Sequence, residues 1–313
     1  MKHFVKTSIA TAVVGAALIA AGSATAGIAN TKHNLGTTNS TSSNNTAGTE
    51  EICIFCHTPH GGDIGAPVPL WNKSLTTGNF TTYDQLGTST LDAAVGNVGS
   101  VSLACLTCHD GTQAIDNILN APGSGGYDST GGGTDGLLTA DGWTWSSPDS
   151  SLNAEGQFIN GVDPDVGGNN IFMIGTDLRN DHPVSMQYGG GGVSANTPTP
   201  ANTTDTDFVV PLRIGTSNRW YVDNVVMSAD PSSTLNAFDK WDFKLYTRDT
   251  SGLSPQQATG FSFSGVEEPF VECGSCHDPH METTTFLRID PSVNTAGNMS
   301  NSGSAVCLTC HTK

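Results

Sequence analysis

The chain has no cysteine outside four short clusters, few bases, few aromatics, and no long apolar run after its first 26 residues. Each shortage excludes something. Past residue 26 no segment approaches the ~20 apolar residues that span a bilayer, so no membrane insertion is expected. Only 12 Lys and Arg stand against 29 Asp and Glu, a net charge of −17, which argues against nucleic acid and against anionic lipid as partners. Aromatics make up 7%, while glycine reaches 37 residues among abundant Ser, Thr and Asn. Such a chain has little apolar surface to set against its conformational entropy. Either much of it stays disordered, or something other than protein supplies the core.

What is present begins with a leader. "MKHFVK" carries Lys2 and Lys6, "SIATAVVGAALIAAG" is apolar and made mostly of small residues, and "SATA" offers an A-x-A cleavage site after Ala26. Residues 1–26 are therefore read as a signal peptide, with the mature chain starting at Gly27. No cysteine lies near that site to take a lipid. Cleavage removes two bases and no acid, leaving ten bases against 29 acids, a balance of −19. The expected destination is the cell exterior or surface, with the periplasm as the alternative.

The eight cysteines read "CIFCH" (53–57), "CLTCH" (105–109), "CGSCH" (273–277) and "CLTCH" (307–311). C-x-x-C-H is the attachment signature of c-type haem. Two thiols three residues apart on one helical turn can add to the two vinyl groups on a haem edge. The histidine at i+4 lies on the same face and reaches the iron. Disulfides and zinc ribbons are the competing uses of such cysteines. Neither explains a histidine directly after every second cysteine, four times in four. The expectation is four covalent c-type haems, held through Cys53, Cys56, Cys105, Cys108, Cys273, Cys276, Cys307 and Cys310, with His57, His109, His277 and His311 as proximal iron ligands. The haems then form the core.

Of nine histidines, His3 leaves with the leader, and His33, His60, His182 and His280 match the four vacant sixth positions. Met186 and Met281 are competing ligands, each near a histidine that fits better. Bis-histidine iron has no open position, which points to electron carriage rather than an enzyme. His60 lies three residues after His57, and an extended chain spans only ~10 Å between them, too little to bracket one haem. "CIFCHTPH" and "CGSCHDPH" therefore read as staples between two haems, stiffened by Pro59 and Pro279. The simplest assignment gives His60 to the second haem and His280 to the fourth. His33 and His182 are left for the first and third, in an order left open.

The expected fold is mostly irregular coil, with short helices at the haem motifs ("SLACLTCH", "SAVCLTCH") and a small β-region. Residues 27–112 hold an N-terminal arm and the first haem pair, and 271–313 the second pair. Residues 113–270 between them are Gly/Ser/Thr-rich, with no cysteine and one histidine. Strands are expected in "DFVVPLRI" (207–214), "RWYVDNVVM" (219–227) and "DFKLYT" (242–247). "VDPDVGGNN" (162–170) lacks the full calcium-loop pattern and reads as turn. The polar segment 35–51 reads as a tether carrying His33.

"CIFCHTPHGG" with "APVPLWN", "CLTCHDGT", "LRNDHPVS" and "CGSCHDPH" resembles the extracellular multihaem cytochromes of metal-reducing bacteria, whose members polymerise into conducting filaments, and among them the tetrahaem outer-surface type. The resemblance covers the four motifs and the His182 segment. It implies a coil-dominated subunit, a continuous haem chain alternating stacked and perpendicular pairs, and one axial histidine donated by the adjacent subunit, a role that falls to His33 on its arm. The partners it implies are further copies of the chain, redox donor and acceptor proteins, and extracellular metal oxides. A soluble monomeric tetrahaem carrier in the periplasm and a terminal reductase with an open haem are the other readings.

Overall fold

The computed structural model describes residues 27–38, 44–87, 91, 93–124, 126–130, 145–146, 151–159, 162–163, 168–169, 172–181, 183–193, 203–215, 217, 219–224, 238–249, 267–289 and 304–312. The expected leader 1–26, His182, and residues 164–167 and 170 of the acidic turn lie outside them.

Three α-helices are described, and all three carry haem-motif cysteines: α1 Ser100–His109, α2 Cys273–Cys276 and α3 Ala305–Cys310. The first motif sits instead on a 3-10 turn, Ile52–Phe55. α1 ends where the Asp110 amide bonds the Leu106 carbonyl at 2.9 Å and Gly111 follows at φ +73°, a left-handed stop that suits glycine. α2 begins with a capping box, in which Ser275 Oγ receives the Glu272 amide and the Glu272 side chain receives the Ser275 amide.

Nine short strands accompany them. β1 (Asn45–Thr46) pairs with β2 (Trp145–Ser146), and β3 (Val162–Asp163) with β4 (Gly168–Asn169). The one larger sheet is antiparallel, in the order β5-β9-β8-β7-β6. Its strands are β5 (Met186–Gln187), β6 (Leu212–Arg213), β7 (Trp220–Val222), β8 (Phe243–Asp249) and β9 (Glu267–Val271). Tyr246 faces Phe270 across β8 and β9, and Trp220 faces Leu245 across β7 and β8. β9 runs directly into α2, so the sheet aims the third motif.

No single core dominates. Four apolar clusters are spread over the described residues, and each is flanked by cysteines of the motifs. Tyr188, Val193, Trp220, Val222, Phe243, Leu245, Ile289 and Ala305 pack with Cys276 and Cys310. Ile54, Phe55, Ile118 and Ala121 pack with Cys56. Leu106, Leu178 and Val184 pack with Cys273, and Ile115, Leu152 and Phe158 with Cys108. A chain poor in aromatics thus spends its apolar side chains around its attachment points.

The polar segment 35–51 is tied down over its described residues rather than free. The Thr46 amide bonds the Leu35 carbonyl at 3.0 Å, and the Thr37 amide bonds that of Thr49 at 2.9 Å. Ahead of it, Asn30 Nδ2 donates to Glu282 Oε1 at 3.0 Å, so the segment around Asn30 packs on the residues that follow the third motif. The reading of His33 as a residue on a free arm does not hold within this structure: its flanks are anchored at both ends.

Candidate haem-binding site

One helical turn organises each motif. The amides of His57, His277 and His311 bond the carbonyls of Cys53, Cys273 and Cys307 at 2.7, 3.0 and 2.9 Å, and Cys105–His109 form the last turns of α1. That turn places two thiols and one imidazole on a common side. Isolated β-bridges then pin three of the histidine backbones: His57 to Trp71, His277 to Leu287 and His311 to Phe208. The His109 carbonyl is held by the amides of Ile174 and Gly175 at 2.8 and 3.1 Å.

Three of these imidazoles are oriented in the same way. His57 Nδ1 lies 2.8 Å from the Pro69 carbonyl, His109 Nδ1 2.6 Å from that of Phe172, and His277 Nδ1 2.7 Å from that of Thr285. A carbonyl can only accept, so Nδ1 carries the proton and Nε2 keeps its lone pair. This is how a backbone commits a histidine to bind a metal through Nε2. The fourth ring, His311, rests on Phe208 with centroids 4.2 Å apart.

All eight cysteines are free thiols. Burial pushes Cys56, Cys276 and Cys310 up to about 12, and it raises Cys108. The thiols also form a row. Cys56 lies within electrostatic range of Cys108; Cys105 hydrogen-bonds Cys273, which raises Cys105 and lowers Cys273; Cys276 is near Cys307, and Cys310 near Cys276. The motifs therefore neighbour one another in the order of the sequence. The two exposed cysteines, Cys53 and Cys307, belong to its end motifs.

Backbone contacts bear the row out. Lys73, buried beside the first motif, donates Nζ to the carbonyls of Ile115 and Asn117 at 2.7 and 3.3 Å, beyond the second. Ser102 in α1 donates to Glu272 Oε2 at 2.5 Å and accepts the Cys273 amide at 3.0 Å, joining the second and third. Tyr188 donates to the Val209 carbonyl at 2.7 Å, and the Val209 amide bonds the Cys310 carbonyl at 2.8 Å, tying the fourth to the sheet's core.

The distal candidates are placed unequally. His33 stacks on Phe286 at 4.1 Å and 11°, and its centroid is 6.2 Å from that of His109, at 67°. Its Nδ1 is sealed from solvent with no hydrogen-bond partner. Burial first, then the neighbouring His109, holds its pKa down at about 3, so the ring is neutral. His280 stands 6.2 Å from His57, at 17°. Its Nδ1 is 3.0 Å from Asp278 Oδ1, and the buried Arg288 lies 3.4 Å from Asp278 Oδ2. Burial would raise Asp278, but the hydrogen bonds from His280 and the Arg288 charge overcome it and hold it at about 2. His60 is exposed. Of the two methionine candidates, Met281 is buried and Met186 lies in β5.

The ring facing His57 is that of His280 and the ring facing His109 is that of His33, whereas the simplest assignment from the sequence gave His280 to the fourth haem and His60 to the second. Reach along the chain limits where His60 and His280 can go, but it carries no direction. The supporting shell of Pro69, Phe172, Thr285 and Arg288 also escapes the sequence, because backbone carbonyls and distant charges leave no local signature. Asp278, directly after a motif histidine and two before another, is the one member that spacing could have found.

The residues present fit haem. Free thiols sit in pairs beside committed imidazoles, a buried ring nitrogen of His33 lacks a partner, and no three His, Cys, Asp or Glu side chains among the described residues form a metal cage of the zinc-ribbon kind. Comparison with known proteins points the same way. A search of curated proteins finds no match. Residues 268–313 match the family described as a doubled CXXCH motif, and that match indicates a multihaem c-type cytochrome with covalently bound haem and a role in electron transfer.

Proposed function

We propose that the chain is an exported tetrahaem cytochrome with two histidines on each iron, which passes electrons along its row of motifs and polymerises end to end outside the cell. The observation that carries this reading is the row itself, whose end motifs contribute the two exposed cysteines, Cys53 and Cys307. Bound haem supplies a one-electron ferric/ferrous couple. The chain's own part is to anchor each group through two thiols, to fix Nδ1–H on backbone carbonyls so that Nε2 faces the metal, and to keep the interior of the row dry.

An electron enters at one exposed end and leaves at the other, toward a donor or acceptor protein, a metal oxide or the next subunit. With two ligands per iron no position is left for a substrate, so the reading is a carrier and not an enzyme. The acidic surface keeps such a subunit soluble before assembly.

Intact mass and a pyridine haemochrome titration should give four haems per chain. Negative-stain microscopy of the purified protein should show fibres. Dispersed globules alone would leave a soluble periplasmic carrier, and carbon monoxide binding to the reduced native protein would reveal an open iron and favour a reductase.

A further inference from the structure

We infer that His280 is the sixth ligand of the haem held by Cys53 and Cys56, opposite His57, and that His33 is the sixth ligand of the haem held by Cys105 and Cys108, opposite His109, all within one chain. The inference rests on the haem reading above and deepens it. Two imidazoles on opposite sides of one metal, each bound at about 2 Å, hold their ring centroids about 6.3 Å apart. The pairs His57–His280 and His33–His109 both stand at 6.2 Å.

Direct ring contact looks different in this protein. His33 lies on Phe286 at 4.1 Å with planes 11° apart. The rings of His57 and His280 stand about 2 Å farther apart than that, so they are not in direct contact, and their spacing is that of two rings bound through nitrogen to one metal. Each pair also joins a motif histidine, its Nδ1 already committed to a carbonyl, with a histidine from elsewhere in the chain. His280 is committed likewise, through Nδ1 to Asp278.

Two consequences follow. "CGSCHDPH" ties the third haem to the first, so the N-terminal and C-terminal motifs interlock instead of forming separate pairs. His33 is satisfied inside its own chain and needs no second copy, which leaves His60 and His182 for the irons of His277 and His311. The two assigned centres also differ in ligand orientation, with planes 17° apart at the first and 67° apart at the second. Near-parallel imidazoles give a rhombic low-spin ferric spectrum and near-perpendicular ones a strongly anisotropic signal.

The test uses the full-length, haem-loaded protein. His280→Ala should keep four haems by mass and create one site per chain that binds carbon monoxide, with loss of one rhombic signal. Cys53→Ala with Cys56→Ala should give three haems. Adding His280→Ala to that pair should create no carbon monoxide site; a new one would overturn the assignment, because His280 would then serve another haem. The matching set is His33→Ala with Cys105→Ala and Cys108→Ala, read in the same way. Should the alanine variants not accumulate, His280→Met retains a sixth ligand. Its sulfur-to-iron charge-transfer band should be present with the first haem attached and absent without it; a band surviving loss of that haem would overturn the assignment too. Haem counts that fall short of four in the wild type would instead sink the tetrahaem reading itself.

Discussion

Glu272 joins the second and third motifs, and its charge has a cost that pH can expose. Its side chain is fully buried, accepting from Ser102 Oγ at 2.5 Å and from Ser185 Oγ at 3.1 Å, with Arg248 Nη1 3.3 Å away. Burial outweighs these favourable contacts and lifts its pKa from an ordinary 4.5 to about 7. The folded carboxyl therefore keeps its proton to higher pH than the unfolded one. Stability is greatest below about pH 4.5 and is lost as pH rises toward 7, by about 3 kcal/mol in total. Other groups move absolute stability over the same range: Asp242, raised to about 6 by burial, with the same sign, and His33, lowered to about 3 by burial, with the opposite one. A difference between two proteins removes them. Glu272→Gln keeps the acceptor oxygen and copies the protonated state. Denaturant unfolding of the haem-loaded proteins, followed at the Soret band, should find the two close at pH 5. At pH 8 the variant should have gained about 3 kcal/mol relative to wild type. A difference that does not change with pH, or a variant that falls further behind at pH 8, would refute the reasoning.

Asn72 is buried and its side chain makes four bonds, donating to the carbonyls of Ile54 and Asn120 at 2.7 and 3.0 Å and accepting the Asn120 amide at 2.9 Å and Asn120 Nδ2 at 3.4 Å. Asn72→Ala strands those groups and should lower unfolding free energy by about 3 kcal/mol, read as a shifted denaturant midpoint. Asp278→Asn takes a negative charge from the His280 ring and should raise the potential of the haem that His280 ligates; a spectroelectrochemical titration with no component moving upward would count against it. N-terminal sequencing of the exported protein should begin at Gly27, and a product retaining residues 1–26 would remove the case for export.

The parts of this molecule that were legible from sequence are those set by local chemistry. "SLACLTCH" and "SAVCLTCH" read as helix, and α1 and α3 lie there, because one turn is what spaces two thiols and an imidazole. The strand readings were partial for identifiable reasons. Of 207–214 only Leu212–Arg213 pairs as strand: Phe208 bridges to His311, and the Val209 amide bonds the Cys310 carbonyl. Of 219–227, Trp220–Val222 form β7, the Asn224 amide then bonds Asp242 Oδ1 at 3.0 Å, and residues 225–227 lie outside the described residues. β9 gave no signal, since "EEPFV" carries a proline. The sheet tolerates Pro269 because β5 pairs only with Phe270 and Val271, leaving that side of Pro269 without a strand partner. Long-range pairing of that kind depends on which segments meet, and short strands rich in glycine and proline carry little of that information.

The two H-x-P-H segments show where sequence reasoning reaches its limit. "CHTPH" and "CHDPH" have the same spacing and the same proline, and spacing alone gives both second histidines one role. They differ at a single residue between the histidines. In the third motif Asp278 accepts from His280 Nδ1, and the buried Arg288, itself donating to the carbonyls of Gly274 and Lys240, holds the carboxylate in place. That chain of contacts fixes the His280 ring, itself half exposed, across from His57. In the first motif Thr58 has no charge to offer and donates instead to the His60 carbonyl at 3.0 Å, which fixes backbone rather than a ring. Asp278→Thr should therefore loosen the His280 ring, and Thr58→Asp alone should not fix the His60 ring in the same way, because the first motif has no counterpart of Arg288 contacting Thr58 among the described residues. What sets the His280 ring apart from that of His60 is one carboxylate and the arginine that fixes it.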